Sequence, residues 1–139
     1  MLAALCGRFP TRLEAVPTSH FEFLVEEPSM EAFLKGWLPR HIPDGRTFHI
    51  HVFQGKADLV RNLRARLTGY AKWLPEDWRI VVLIDRDDED CRILKRNLET
   101  DCERAALATR RTLHSADWRV GTCVAIEELE AWYFGDWAA

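Results

Sequence analysis

The chain has 139 residues, 47% of them hydrophobic and 29% charged, with a formal net charge of −3. That is one domain's worth of chain, and its charge excludes a global pull toward nucleic acid or an anionic membrane, so a polyanionic partner would need a local basic patch or a bound cation. Apolar runs fall short of the roughly 20 residues that span a bilayer, and the four cysteines (Cys6, Cys91, Cys102, Cys123) form no C-x-x-C pair, which reads as free thiols in a reducing cytoplasm.

Residues 1–19 carry an apolar run, Met1–Cys6, that is too short for a signal peptide and has no basic segment before it. They read as a poorly ordered extension, and the domain is expected over 20–139. "HFEFLVEE" (20–27) has the apolar density of a buried strand. Pro28 cannot donate to a ladder, so the strand stops there. Ser29 is the expected N-cap of a helix whose stripe is Met30, Phe33, Leu34 and Trp37. Pro39 and "IPDG" (42–45) are expected to end that helix. "TFHIHVF" (47–53) alternates, with Phe48, Ile50 and Val52 on one side and His49 and His51 on the other, as in a half-buried strand near a sheet edge.

Gly55 then opens "KADLVRNLRARL", with Leu59, Leu63 and Leu67 on one helical face. "RIVVLI" (79–84) is apolar without alternation, which predicts a central strand covered on both faces. A third helix is expected over about 91–107, a fourth strand over 118–126 and a fourth helix over 127–134. The repeating β-α pattern predicts a parallel sheet between helical layers with right-handed crossovers. Ligands of such sheets bind past the carboxyl ends of the strands.

Acid gathers at those ends. The first strand ends on Glu26 and Glu27, the third runs into Asp85, Asp87, Asp88, Glu89 and Asp90, and the fourth into Glu127, Glu128 and Glu130. Two unit charges roughly 4 Å apart repel by about 1 kcal/mol in water, and by several times that near a protein surface. So many carboxylates on one rim are costly unless a cation bridges them. An all-oxygen donor set suits Mg²⁺, Mn²⁺ or Ca²⁺, and the reaction class that follows is metal-assisted chemistry on phosphate.

"FLVEEPSMEAFL", "VVLIDRDDEDC" and "AIEELEAWYFGD", in this order, resemble the bacterial Toprim-like family catalogued as domain of unknown function 4276. That family is related to the Toprim domains of topoisomerases, primases and overcoming-lysogenization-defect nucleases. The resemblance covers about residues 20–137. It implies a Toprim-like three-layer α/β sandwich around a mostly parallel four-stranded sheet, and a domain incomplete at its C-terminus. Glu26 would take the role of the glutamate that ends the first strand, as metal ligand or general acid/base. Asp85 and Asp87 would take that of the D-x-D that binds Mg²⁺, and Glu128 and Glu130 would match a later acidic pair. For Glu26 to meet Asp85 the strand order must be 2-1-3-4.

The family's glycine after the first glutamate is here Glu27. The acid four positions beyond that glutamate is here Met30, with Glu31 next. By spacing, Glu128 and Glu130 sit about 200° apart on a helix and cannot both face one ion, whereas Glu127 and Glu130 share a face better. The resemblance implies an Mg²⁺- or Mn²⁺-dependent phosphodiesterase, a nuclease in bacterial defence with an ATPase partner. The alternative is a non-catalytic module whose acidic rim binds a structural cation. Lys56, on the same rim, is the candidate phosphate contact. For "DRDDED" the plain reading is a solvated helix N-terminus, where acids are favoured. For His49 and His51 it is a polar outer face.

Overall fold

A computed structural model of the chain describes residues 5–6, 18–42, 44–86, 88–109 and 118–125. In chain order the elements are β1 (Leu5–Cys6), β2 (His20–Val25), α1 (Pro28–His41), β3 (Thr47–Val52), α2 (Lys56–Ala71), β4 (Trp78–Asp85), α3 (Cys91–Arg104) and β5 (Val120–Ala125). The sheet order is β1-β5-β4-β2-β3. The four longer strands are all parallel, in the expected 2-1-3-4 arrangement. The two-residue β1 adds an antiparallel edge against β5. Asp87, the expected helix 127–134 and its acids Glu127, Glu128 and Glu130 lie outside the described residues.

Burial on both faces explains the unbroken apolar run of β4, whose Ile80–Ile84 are all 0–1% exposed. Its alternate residues serve different cores. Val81 and Leu83 join Phe21, Phe23 and Val25 of β2 against Met30, Phe33, Leu34, Trp37 and Leu38 of α1. Ile80, Val82 and Ile84 join Leu24 and Val124 against Leu59, Leu63 and Leu67 of α2 and Leu94, Leu98 and Cys102 of α3. One helix therefore covers one face and two cover the other, giving a three-layer α/β sandwich. The order of the strands requires this. The β2→β3 crossover runs opposite to β3→β4 and β4→β5, so crossovers of a single hand put α1 alone on its side.

Local details depart from expectation at the start of α1. Its N-cap is Glu27, in an extended conformation, with Pro28 as the first helical residue, a position where the missing N–H costs nothing. Ser29 lies inside the helix instead of capping it, and its hydroxyl donates to Glu27 Oε1 at 2.7 Å. The helix ends where Pro39 and the following "IPDG" are expected to close it, with Pro39 inside the last turn. The backbone continues to His41, and Ile42 N closes the last turn onto the Leu38 carbonyl at 2.8 Å. α2 runs to Ala71, past the expected Leu67, because Tyr70 continues its buried stripe. β3 is the edge strand, as its alternation predicts. Among the described residues no helix is long and apolar enough to cross a membrane.

Candidate metal centre

The chain leaves β2 toward β3 on one side and leaves β4 toward β5 on the other. The crevice between the carboxyl ends of β2 and β4 is thus the switch point of the sheet, where α/β folds bind ligands. Register places the acids there. Val25 pairs with Leu83, so extending the ladder by two residues sets Glu27 level with Asp85. Glu26 is 5% exposed, while Glu27 and Asp85 are half-buried. One carboxylate oxygen from each of the three lies within 4.8 Å of the others.

At an effective dielectric of about 20, two such charges roughly 4 Å apart repel by about 4 kcal/mol. Part of that is offset by the positive end of α1, which starts at this crevice with Glu27 as its N-cap. The rest favours a cation. Three carboxylate donors suit a hard cation better than a soft one. The N-termini of α2 and α3 open on the same rim, since both follow parallel strands, and backbone N–H groups there suit phosphate oxygens.

The acids of "DRDDED" divide by what each touches. Asp85 enters the crevice. Asp90 caps α3, its Oδ1 accepting from Arg92 N at 2.8 Å and Ile93 N at 3.3 Å, so the plain reading holds for it. Asp88 and Glu89 are exposed, and Glu89 Oε1 comes within 3.9 Å of Lys56 Nζ. Lys56 is on the rim, where it donates to the Arg86 carbonyl at 3.1 Å. It braces the loop that leaves Asp85.

Sequence reasoning noted the H-x-H of His49 and His51 as a polar outer face and did not connect it with Glu22. His49 and His51 face α2 beside Glu22, which is 5% exposed, and His51 Nε2 lies 2.6 Å from Glu22 Oε2. The signal was present in "HFEF", where His20 and Glu22 alternate with Phe21 and Phe23 as the histidines of "HIH" alternate with Ile50.

The family described as Domain of unknown function (DUF4276) matches residues 25–139. The chain belongs to that family. Neither a curated protein nor a solved structure matches it. The DUF4276 match opens on Val25, the last residue of β2, so it takes in Glu26, Glu27, Lys56, Asp85, Asp87, Glu128 and Glu130 but starts after Glu22.

Proposed function

We propose that this DUF4276 chain is a Toprim-like, divalent-metal-dependent phosphodiesterase that acts on nucleic acid. The observation that carries the reading is the convergence of Glu26, Glu27 and Asp85 at the switch point of the parallel sheet. Glu26 and Asp85 would hold Mg²⁺ or Mn²⁺, with Asp87 and Glu128 or Glu130 completing the ligand set as the Toprim resemblance implies. When bound, the ion supplies charge neutralisation for a phosphodiester and a lowered pKa for a water. Glu26, nearly buried at the strand end, would orient that water or accept its proton. Lys56 holds the Asp85 loop in place through the Arg86 carbonyl. With a net charge of −3 the chain has no global attraction for a polyanion, so metal and helix N-termini would supply the anchoring for substrate phosphates.

The buried Cys102 and the half-buried Cys91 are free thiols, which fits a reducing cytoplasm. A setting in bacterial defence beside an ATPase partner follows from the resemblance alone. The deciding experiment is cleavage of labelled single- and double-stranded DNA and RNA with Mg²⁺ or Mn²⁺, comparing the protein with its Asp85→Ala variant. Metal-dependent cleavage lost in the variant is the expected result. Equal cleavage by both proteins would sink the proposal.

One observation favours a second reading. Glu27 brings a third carboxylate into the crevice where the resemblance expects a glycine. A fuller carboxylate shell leaves fewer positions for water or phosphate and suits a structural ion. In that reading Mg²⁺ raises the melting temperature, no nucleic acid is cut, and Glu27→Gly loosens the metal without creating activity.

A further inference from the structure

Glu22 lies directly across the β2–β3 ladder from His49, and His51 is the diagonal neighbour on the same face. Three potential ligand atoms meet there. His51 Nε2 is 2.6 Å from Glu22 Oε2, His49 Nδ1 is 3.6 Å from the same oxygen, and the two histidine nitrogens are 3.1 Å apart. A point about 2.1 Å from each atom lies roughly 1 Å out of their plane, so all three fit one coordination sphere of the size zinc-type ions form with imidazole and carboxylate.

We propose that Glu22, His49 and His51 form a second metal site, selective for a zinc-class divalent transition ion and separate from the acidic rim. The donor set decides the class. Two imidazoles and one carboxylate suit zinc, iron or cobalt, whereas the three carboxylates at Glu26 suit Mg²⁺ or Mn²⁺. Glu22 and Glu26 are four residues apart on one extended segment, about 13 Å along a strand, too far for one paired-ion centre.

The surroundings fit a ligand-accessible site. Glu22 and His51 open into a cavity of about 340 Å³ lined by Ala65, Arg66, Gly69, Tyr70 and Trp73, room for exchangeable ligands beyond the three protein ones. His20 Nε2 stands 3.5 Å from the other Glu22 oxygen, and His20 Nδ1 is 2.6 Å from Thr47 Oγ1. That pair orients the carboxylate from behind, as partners of metal ligands do. Burial holds His51 below the ordinary histidine pKa, opposed by its hydrogen bond to Glu22.

Arg66 fixes the state without metal. Its Nη2 is 2.9 Å from His51 Nδ1, and arginine only donates. His51 therefore carries its proton on Nε2, where it donates to Glu22 with His49 Nδ1 alongside. One proton sits where the three ligand atoms converge. Binding of an ion at Nε2 moves that proton to Nδ1 and turns Arg66 away. No proton leaves the site.

The test is titration of the full chain with Zn²⁺, and with Co²⁺ for its visible absorption. Wild type and Asp85→Ala should bind one such ion at this site with equal affinity, unaffected by excess Mg²⁺, and with no thiolate charge-transfer band. His51→Ala should lose on the order of 100-fold or more in affinity, beyond the loss typical of an outer partner. His49→Ala, at an exposed position, should do the same without endangering the fold. Arg66→Met should bind more tightly. The proposal is overturned if wild type binds no Zn²⁺, if both histidine variants bind as wild type does, if a thiolate band accompanies binding, or if Arg66→Met binds more weakly. None of these outcomes depends on the acidic rim or on cleavage.

Discussion

Lys56 Nζ donates to the Arg86 carbonyl at 3.1 Å, which ties the first turn of α2 to the residue that follows Asp85. The lysine side chain is 15% exposed, so the bond is largely shielded from water. Lys56→Met keeps the aliphatic stem and removes the donor. The expected loss is about 1.5–3 kcal/mol of unfolding free energy, typical of a hydrogen bond that involves a charged group, read from urea denaturation. An unchanged midpoint would show that the lysine does not brace the loop and would return it to substrate binding.

Asp85→Asn should stabilise the protein in chelator. It removes one of three carboxylates whose oxygens lie within 4.8 Å of one another. Relief of about 1 kcal/mol of repulsion corresponds to a rise of roughly 2–4 °C in melting temperature for a chain of this size. The variant should also lose the rise in melting temperature that Mg²⁺ or Mn²⁺ gives the wild type. A variant less stable than wild type in chelator would mean that Asp85 holds structure rather than an ion.

The fold was legible because strong, independent signals agreed. The unbroken "RIVVLI" and alternating "TFHIHV" patterns set the central and edge strands, and the β-α order set the parallel sheet. Glu26 and Asp85 were legible as a pair because adjacency of β2 and β4 brings their ends together. Less was visible where one residue type serves several roles. Asp90 and Asp85 look alike in "DRDDED", yet one caps α3 and the other faces the crevice. Ser29 and Pro28 both suit a helix start, and the backbone placed the cap one residue before the proline. Glu22 was hidden because its partners, His49 and His51, are distant in sequence and meet it only through strand register.

Glu99 is 5% exposed on α3, accepts a hydrogen bond from Thr122 Oγ1 and lies 3.7 Å from Lys95 Nζ. Lys95 also donates to the Thr122 carbonyl at 2.5 Å. Removing the cation strands a buried carboxylate, which costs about 3–5 kcal/mol. Lys95→Met should therefore be severely destabilising, and Lys95→Met/Glu99→Gln should recover much of the loss because no charge is left buried. Equal stability of the single and double variants, measured by chemical denaturation, would show that the pair is not coupled.

Cys102 sits beneath the same cluster and is fully buried. Burial first, and the nearby Glu99 carboxylate second, push its thiol up to about 12 from an ordinary 9.0. The unfolded chain releases this proton near pH 9 and the folded chain does not. The unfolded state thus binds fewer protons between pH 9 and 12, and stability falls as pH rises through that window. Below pH 9 the thiol is protonated in both states and the contribution is constant. Tyr70, also raised by burial, adds a slope of the same sign at its own higher onset, so the comparison must be made against a Cys102→Ala variant. That variant is expected to be less stable at pH 7, because a well-packed side chain is trimmed, but its stability should decline less steeply from pH 9 to 10.5. Thiol-reactive dye supplies the second readout. Cys102 should be inert in the folded protein at pH 8 and react only as fast as the chain unfolds, while the half-buried Cys91 reacts directly. Parallel alkaline profiles for the two proteins, or rapid labelling of native Cys102, would place the thiol in contact with water.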